Sequence, residues 1–220
     1  MGSKPLAKGG SNGRKMYPVM LQIANQPVVV VGGGNVAERK VVGLLEANAA
    51  VTVVSPTVTE ALKELAAKEK IRWKEKLFSA DDIDKAFLVI AATSDRHVNE
   101  AVAQAAKPYQ LINIADDPER SNFYVPSVVR RGKLTISVST DGASPTLAKQ
   151  IRDEIANIYG EEYERYVDFL TTCRRYILQH IDDPSIRRSL LKTIATESFR
   201  KNGHWEEQFN KLFAQYKKQP

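Results

Sequence analysis

The sequence predicts an α/β fold: a parallel sheet wound with helices on both faces, followed by a hairpin and a helical C-terminal region. Three observations carry that prediction. Between residues 17 and 115, short β-branched runs alternate with stretches whose apolar residues recur at helical spacing. After Asp117 the alternation gives way to two strand-like runs around the turn RRGK (130–133). From about residue 147 onwards the pattern is helical, broken at DDP (182–184) and NG (202–203).

Taken in order, residues 1–15 (MGSKPLAKGGSNGRK) are polar, glycine-rich and unpatterned, and Met16 reads as a second start. They are expected to be a disordered leader or tag. Strands are expected at 28–31, 51–54, 71–74, 87–92 and 111–115, and helices at 36–48, 58–69, 79–84 and 96–107. The first run, PVVVV, is β-branched and long enough for one buried strand. From Val36 onwards, Val36, Val41, Leu44 and Leu45 recur at helical spacing, with Glu38, Arg39 and Lys40 between them. FLVIAATSD ends the fourth strand in Thr93, Ser94 and Asp95, and LINIADD delivers Asn113, Asp116 and Asp117 to the same sheet edge. The hairpin is expected at 123–129 and 134–139, joined by RRGK. Ser144 then caps a helix with Pro145 at its first position, a second potential anion site.

Three glycines, Gly32 to Gly34, separate the first strand from the first helix. Gly32, Gly34 and Ala37 fit G-x-G-x-x-A, a dinucleotide-binding fingerprint. In that role Gly32 allows the tight turn, Gly34 lets the backbone approach a pyrophosphate, and Ala37 lets the helix lie close to the strand. The helix N-terminus supplies amide donors and partial positive charge. The plain alternative is a steric turn, but the readable strand and helix on either side favour the fingerprint. The first domain, 16–116, is therefore read as Rossmann-like. The acidic residue expected roughly 20 positions on, to bind the adenine ribose, is missing. Ser55, Pro56 and Thr57 stand at the end of the second strand instead. No arginine follows to hold a 2′-phosphate, so NAD is expected over NADP. Ligands in open α/β sheets bind beyond the strands' carboxyl ends, which brings Thr93 and Ser94 to the same crevice.

The net charge of +6 is compatible with nucleic acid, an anionic membrane surface or an acidic small molecule. No nucleic-acid motif is present, and no apolar run approaches the length needed to span a membrane. No secretory signal is read, and the single Cys173 suits a reducing, cytoplasmic setting. Tyr163, Tyr166, Leu170, Cys173 and Ile177 form a helical stripe, so the thiol is read as core despite the neighbouring Arg174 and Arg175. His97, His180 and His204 are scattered, and no metal is expected. RRGK, the densest basic cluster, is either a solvated turn or a holder of acidic groups.

VVVVGGGNVAERK, LEANAAVTVVSP, LVIAATSD and INIADDPERSNFYVPSVVRRGKLTISVSTDGASPTLA follow one another in a consistent order. Through them the chain resembles the precorrin-2 dehydrogenases, the NAD-dependent module of siroheme synthase, from about Tyr17 to Ile155. The C-terminal helices, 151–220, resemble the family more loosely. The resemblance implies NAD-dependent oxidation of precorrin-2, a tetrapyrrole rich in carboxylates, to sirohydrochlorin. It implies a homodimer whose segment 117–150 forms the interface beside the active site, with neither nucleic acid nor membrane as partner. The family's key aspartate falls on Asp116, where a carboxylate can accept or relay a proton. Cofactor contacts fall on Gly32, Gly34, Asn35, Val36, Ser55, Pro56, Thr57, Thr93 and Ser94. Substrate contacts are expected from Asn113, Arg130, Arg131, Ser139 and Thr140. Thr140 stands where some relatives have the second of two serines, and Asp141 where a glycine is common. Two other functions stay open on sequence: a dehydrogenase that also inserts iron into its product, and an NAD-sensing module without chemistry.

Overall fold

The computed structural model describes residues 16–115 and 117–217, so residues 1–15, expected to be a leader or tag, lie outside the described residues. The chain divides into two compact units, Met1–Val125 and Pro126–Pro220. In the first, strands β1 (Pro27–Val31), β2 (Ala50–Val54), β3 (Arg72–Lys74), β4 (Leu88–Ala91) and β5 (Leu111–Ile114) form a parallel sheet. Their order is β3-β2-β1-β4-β5. The chain winds outwards from β1 to β3, crosses back past β1, and winds outwards again through β4 and β5. That reversal puts a topological switch point between β1 and β4, the place where open α/β sheets bind ligands.

Helices α1 (Asn35–Glu46) and α2 (Glu60–Ala67) cover one face of the sheet. The other carries α3 (Arg96–Ala105) and a 3₁₀ turn at Ala80–Ile83. Strand alternation assigns the side chains. Val28, Val30, Val51, Val53, Leu88 and Ile90 pack with Ala37, Val41, Leu44 and Leu62. Val29, Val31, Val89, Ala91, Ile112 and Ile114 pack with Ile83 and Val102. Both faces are buried, which is why these strands read as continuous apolar runs.

The helix expected at 79–84 is only the 3₁₀ turn, closed by a capping box between Ser79 and Asp82. α3 ends at Ala105, because Ala106 is already extended ahead of Lys107 and Pro108. The expected strand 123–129 shifts most. Pro126 has no amide to donate, and the strand begins after it: β6 is Ser127–Arg131, antiparallel to β7 (Leu134–Val138). Residues 121–123 run along the edge of β5 instead. The Ile114 amide donates to Ser121 Oγ at 2.9 Å, and the Ile112 amide donates to Asn122 Oδ1 at 2.8 Å. Side chains thus satisfy an edge that a further strand would otherwise cover.

In the second unit, α4 (Pro145–Ile158) packs on the hairpin. Helices α5 (Glu162–His180), α6 (Pro184–Ile194), α7 (Glu197–Lys201) and α8 (Trp205–Lys217) follow. The expected breaks at 182–184 and 202–203 are joined by two more, at Gly160 and at Thr196, which caps α7. Tyr166, Cys173, Ile177, Leu190, Ile194, Phe199 and Phe209 form the core of these helices. Cys173 is 3% exposed there, and burial, with Glu206 adding to it, pushes its thiol up to about 12. Among the described residues no helix is long and apolar enough to cross a membrane.

Candidate active site

The turn after β1 is built from three glycines with three different jobs. Gly32 has φ of +116°, and a Cβ on it would run into the Ala92 carbonyl. The turns that follow β1 and β4 therefore touch, and only glycine fits between them. A Cβ on Gly33 would run into the Thr57 carbonyl and stand 2.9 Å from Ser55 Oγ. The Thr59 amide donates to the Gly33 carbonyl at 2.9 Å, and Thr59 Oγ1 donates to Glu38 Oε2 at 2.6 Å. These bonds fasten the loop after β2 onto α1. Sequence reasoning gave Gly33 no role, because the fingerprint treats it as a free position. Its signal is its place in the middle of three consecutive glycines.

Gly34 is the opposite case. Its φ of −84° suits any residue, and a Cβ on it meets nothing within 4 Å. It is the N-cap of α1, and without a side chain it supplies no acceptor to the first-turn amides. Thr59, Asp95 and Ser144 do supply one to α2, α3 and α4. Open space over backbone donors, at the positive end of a helix, is where a pyrophosphate is held. Asn35 and Val36 are exposed beside it, and Ala37 is fully buried, letting α1 sit close to the sheet. The residues present fit a dinucleotide.

Around that turn, Ser55 is buried and its hydroxyl donates to the Thr57 carbonyl at 2.7 Å. Its carbonyl accepts from Trp73 Nε1 at 2.9 Å, and its amide donates to the Lys74 carbonyl at 3.2 Å. Ser55 thus fixes the loop's shape, while Pro56 and Thr57 form its exposed surface. After β4, Thr93 Oγ1 accepts from the Asp95 amide at 3.0 Å, and Ser94 is exposed. Asn99 Nδ2 donates to the Thr93 carbonyl at 3.1 Å. Asn99 is buried with its Oδ1 unpartnered, a polar residue beside the switch point that the sequence did not single out. At the carboxyl end of β3, Lys74 and the following Lys76 both pair with Asp82. Burial pushes the Asp82 carboxyl up, but hydrogen bonds from Lys74, Lys76 and Ser79 outweigh it and hold the group well below the usual carboxylate range.

Asn113 lies on β5 and donates from Nδ2 to the Phe123 carbonyl at 3.1 Å. Asp116 lies outside the described residues. The other expected substrate residues belong to the second unit. Arg130 and Arg131 are strand residues of β6, not part of a turn, which is reduced to Gly132 and Lys133. Arg131 Nε and Nη2 donate to the carbonyls of Tyr159 at 3.0 Å and Ala156 at 3.2 Å, and Nη1 pairs with Glu161 at 3.4 Å. That guanidinium caps the C-terminal end of α4, so its donors are engaged inside the fold. Arg130 is exposed on the other face of the hairpin. Thr140 Oγ1 accepts from the Ser144 amide and donates to the Ser144 carbonyl, both at 3.0 Å. Ser139 Oγ accepts from the Asp141 amide at 3.2 Å. Asp141 has φ of +49°, the conformation that makes glycine common at this place.

Three family models tile the chain. Residues 19–127 match putative NAD(P)-binding, 131–158 the sirohaem biosynthesis protein central region, and 163–209 the SirC C-terminal domain. A precorrin-2 dehydrogenase of Priestia megaterium is 37% identical over 202 residues, covering 92% of this chain and 100% of the relative. One from Bacillus subtilis is 36% identical over 160 residues, 73% of this chain and 99% of its own length. A solved structure of SirC, precorrin-2 dehydrogenase, superposes with a TM-score of 0.81 at 36% identity, covering 91% of this chain and 100% of that one. With matches that run the full length of those relatives, and with a fold that follows theirs, this chain belongs to the precorrin-2 dehydrogenase family, enzymes that use NAD as oxidant.

Proposed function

We propose that this chain oxidises precorrin-2 to sirohydrochlorin, on the path to siroheme, as a cytoplasmic homodimer. The observation that carries the reading is the open, uncapped N-terminus of α1 above Gly34, set at the switch point of a parallel sheet. When bound there, NAD⁺ supplies the hydride acceptor. The chain's own part is binding, orientation and proton handling. First-turn amides of Asn35 and Val36 would hold the pyrophosphate beside Gly32 and Gly34. Ser55, Pro56 and Thr57 would border the adenine ribose, and Thr93 and Ser94 would border the nicotinamide half.

Asp116, following β5, takes the proton that leaves as the macrocycle gives up its hydride. Its carboxylate is a suitable base because the proton comes off a carbon activated by the adjoining conjugated system. Asn113 in the first unit and Ser139, Thr140 and Arg130 in the second are the residues assigned to the substrate, whose many carboxylates suit a chain of net charge +6. Arg131 supports this set indirectly by fastening the hairpin to α4.

The reading is tested by incubating the purified protein with precorrin-2 and NAD⁺ under anaerobic, metal-free conditions. Sirohydrochlorin and NADH should form in equal amounts. Repeating the reaction with Fe²⁺ or Co²⁺ separates oxidation from any metal insertion. Failure to form NADH would overturn the proposal.

A further inference from the structure

We infer that Asp82 sets the preference for NAD⁺ over NADP⁺ by holding two lysines that would otherwise serve a 2′-phosphate. The inference rests on the dinucleotide reading above. In sequence, NAD was favoured because no arginine follows Ser55. The fold shows that cations are nevertheless close to that loop, brought by the neighbouring strand. β3 lies beside β2 with Lys74 in register with Val54, and the Ser55 amide donates to the Lys74 carbonyl. Lysines at the carboxyl end of β3 are therefore next to the segment assigned to the adenine ribose. A lysine ammonium is a ready phosphate partner.

Both are engaged elsewhere. Lys74 Nζ lies 2.8 Å from Asp82 Oδ1, and Lys76 Nζ lies 2.9 Å from Asp82 Oδ2. Lys76 Nζ also donates to Ser79 Oγ at 2.8 Å. Asp82 is itself fixed, its Oδ2 accepting from the Ser79 amide at 3.0 Å and from Ser79 Oγ at 3.1 Å. Its side chain is 3% exposed, whereas those of Lys74 and Lys76 are 31% and 44% exposed. One buried carboxylate thus draws in two ammonium groups that reach solvent. Capping the 3₁₀ turn needs only the bond from the Ser79 amide, which an uncharged acceptor would provide. The convergence of two lysines on the same carboxylate is what capping leaves unexplained.

The test compares dissociation constants for NAD⁺ and NADP⁺, by calorimetry, in the wild-type chain and in Asp82→Asn. Asp82→Asn retains an acceptor for the Ser79 amide while removing the charge. The wild type should prefer NAD⁺. The variant should bind NADP⁺ about 10-fold tighter, the value of roughly one charge-assisted hydrogen bond, with NAD⁺ affinity little changed. Adding Lys74→Met and Lys76→Met to Asp82→Asn should abolish the gain, and raising salt should shrink it. Asp82→Ser serves the same purpose should Asp82→Asn fold poorly. A folded variant with an unchanged NADP⁺ to NAD⁺ ratio, or a gain that survives loss of both lysines, would overturn the role of Asp82 alone. A wild-type chain that bound neither dinucleotide would overturn the dinucleotide reading with it.

Discussion

Gly33 and Gly34 are neighbours with opposite tolerances, and the contrast separates folding from binding. Gly34→Val adds its side chain where nothing stands within 4 Å, so the fold should persist, at a cost of about 1 kcal/mol for a poorer helix cap. NAD⁺ affinity should fall by about 100-fold, because the side chain occupies the space a pyrophosphate needs. Gly33→Ala should instead give a destabilised or insoluble chain, since its methyl runs into the Thr57 carbonyl. Circular dichroism and a nucleotide titration on both variants check this, and equal behaviour of the two would refute it. Asp116→Asn should keep NAD⁺ binding and lose about 10²–10⁴ in kcat, the usual cost of removing a general base. Steady-state kinetics decide it: near-wild-type turnover would move the base to Ser139 or Thr140. Cys173 should be inert. With its thiol pushed from 9 up to about 12, thiolate at pH 8 is about 10³-fold scarcer than for an ordinary cysteine, so alkylation should await unfolding. Because the native thiol holds its proton more tightly than the unfolded one, stability is unaffected below pH 9. It should fall as pH rises from 9 towards 12.

At the scale of elements, local pattern and tertiary demand parted company in a few identifiable places. The parallel strands were legible because both faces of the sheet are buried, leaving uninterrupted Val and Ile runs that end near the observed boundaries. Gly32, Gly34 and Ala37 were legible because their spacing reports a backbone requirement. Gly33 was not, since its reason lies in a loop more than twenty residues away in the chain. FYVPSVV resembled a strand from its first residue, but Asn122 and Ser121 were already committed to the edge of β5, and Pro126 set the start of β6. Charge density made RRGK resemble a substrate clamp, whereas register put Arg131 on the face that meets α4. Arg131→Gln should therefore reduce stability, by about 1–3 kcal/mol for lost charge-assisted bonds to the last carbonyls of α4. Denaturant melts should show this loss with KM for precorrin-2 little changed. The reverse pattern, full stability with a raised KM, would return Arg131 to the substrate.

For the whole molecule, the proposed homodimer is supported by what the second unit leaves uncovered. A two-stranded hairpin is marginal in water unless it packs on something, and here α4 packs on it while α5 also meets both strands. Val129 and Ile136 pair across the strands on the same face as Arg131, whose guanidinium reaches α4. α4 in turn carries Leu147, Ile151, Ile155 and Ile158 at spacings of four and three. Leu147 is 47% exposed and Ile158 67% exposed, at either end of that stripe. Leu147 and Ile158 are open at the two ends of one helical line, with Ile151 and Ile155 half-buried between them. They lie on a helix next to a hairpin whose strands both lack an outer neighbour among the described residues, and together these features favour a further surface. A second copy supplies one by symmetry, since an isologous contact needs only one self-complementary patch. Sedimentation velocity at micromolar concentration should accordingly give a dimer. Leu147→Glu with Ile158→Glu should shift it to monomer while leaving the glycine turn, which lies in the other unit, competent to bind NAD⁺. A wild-type monomer would refute the dimer, and a double variant that stayed dimeric would exclude the α4 stripe as its interface.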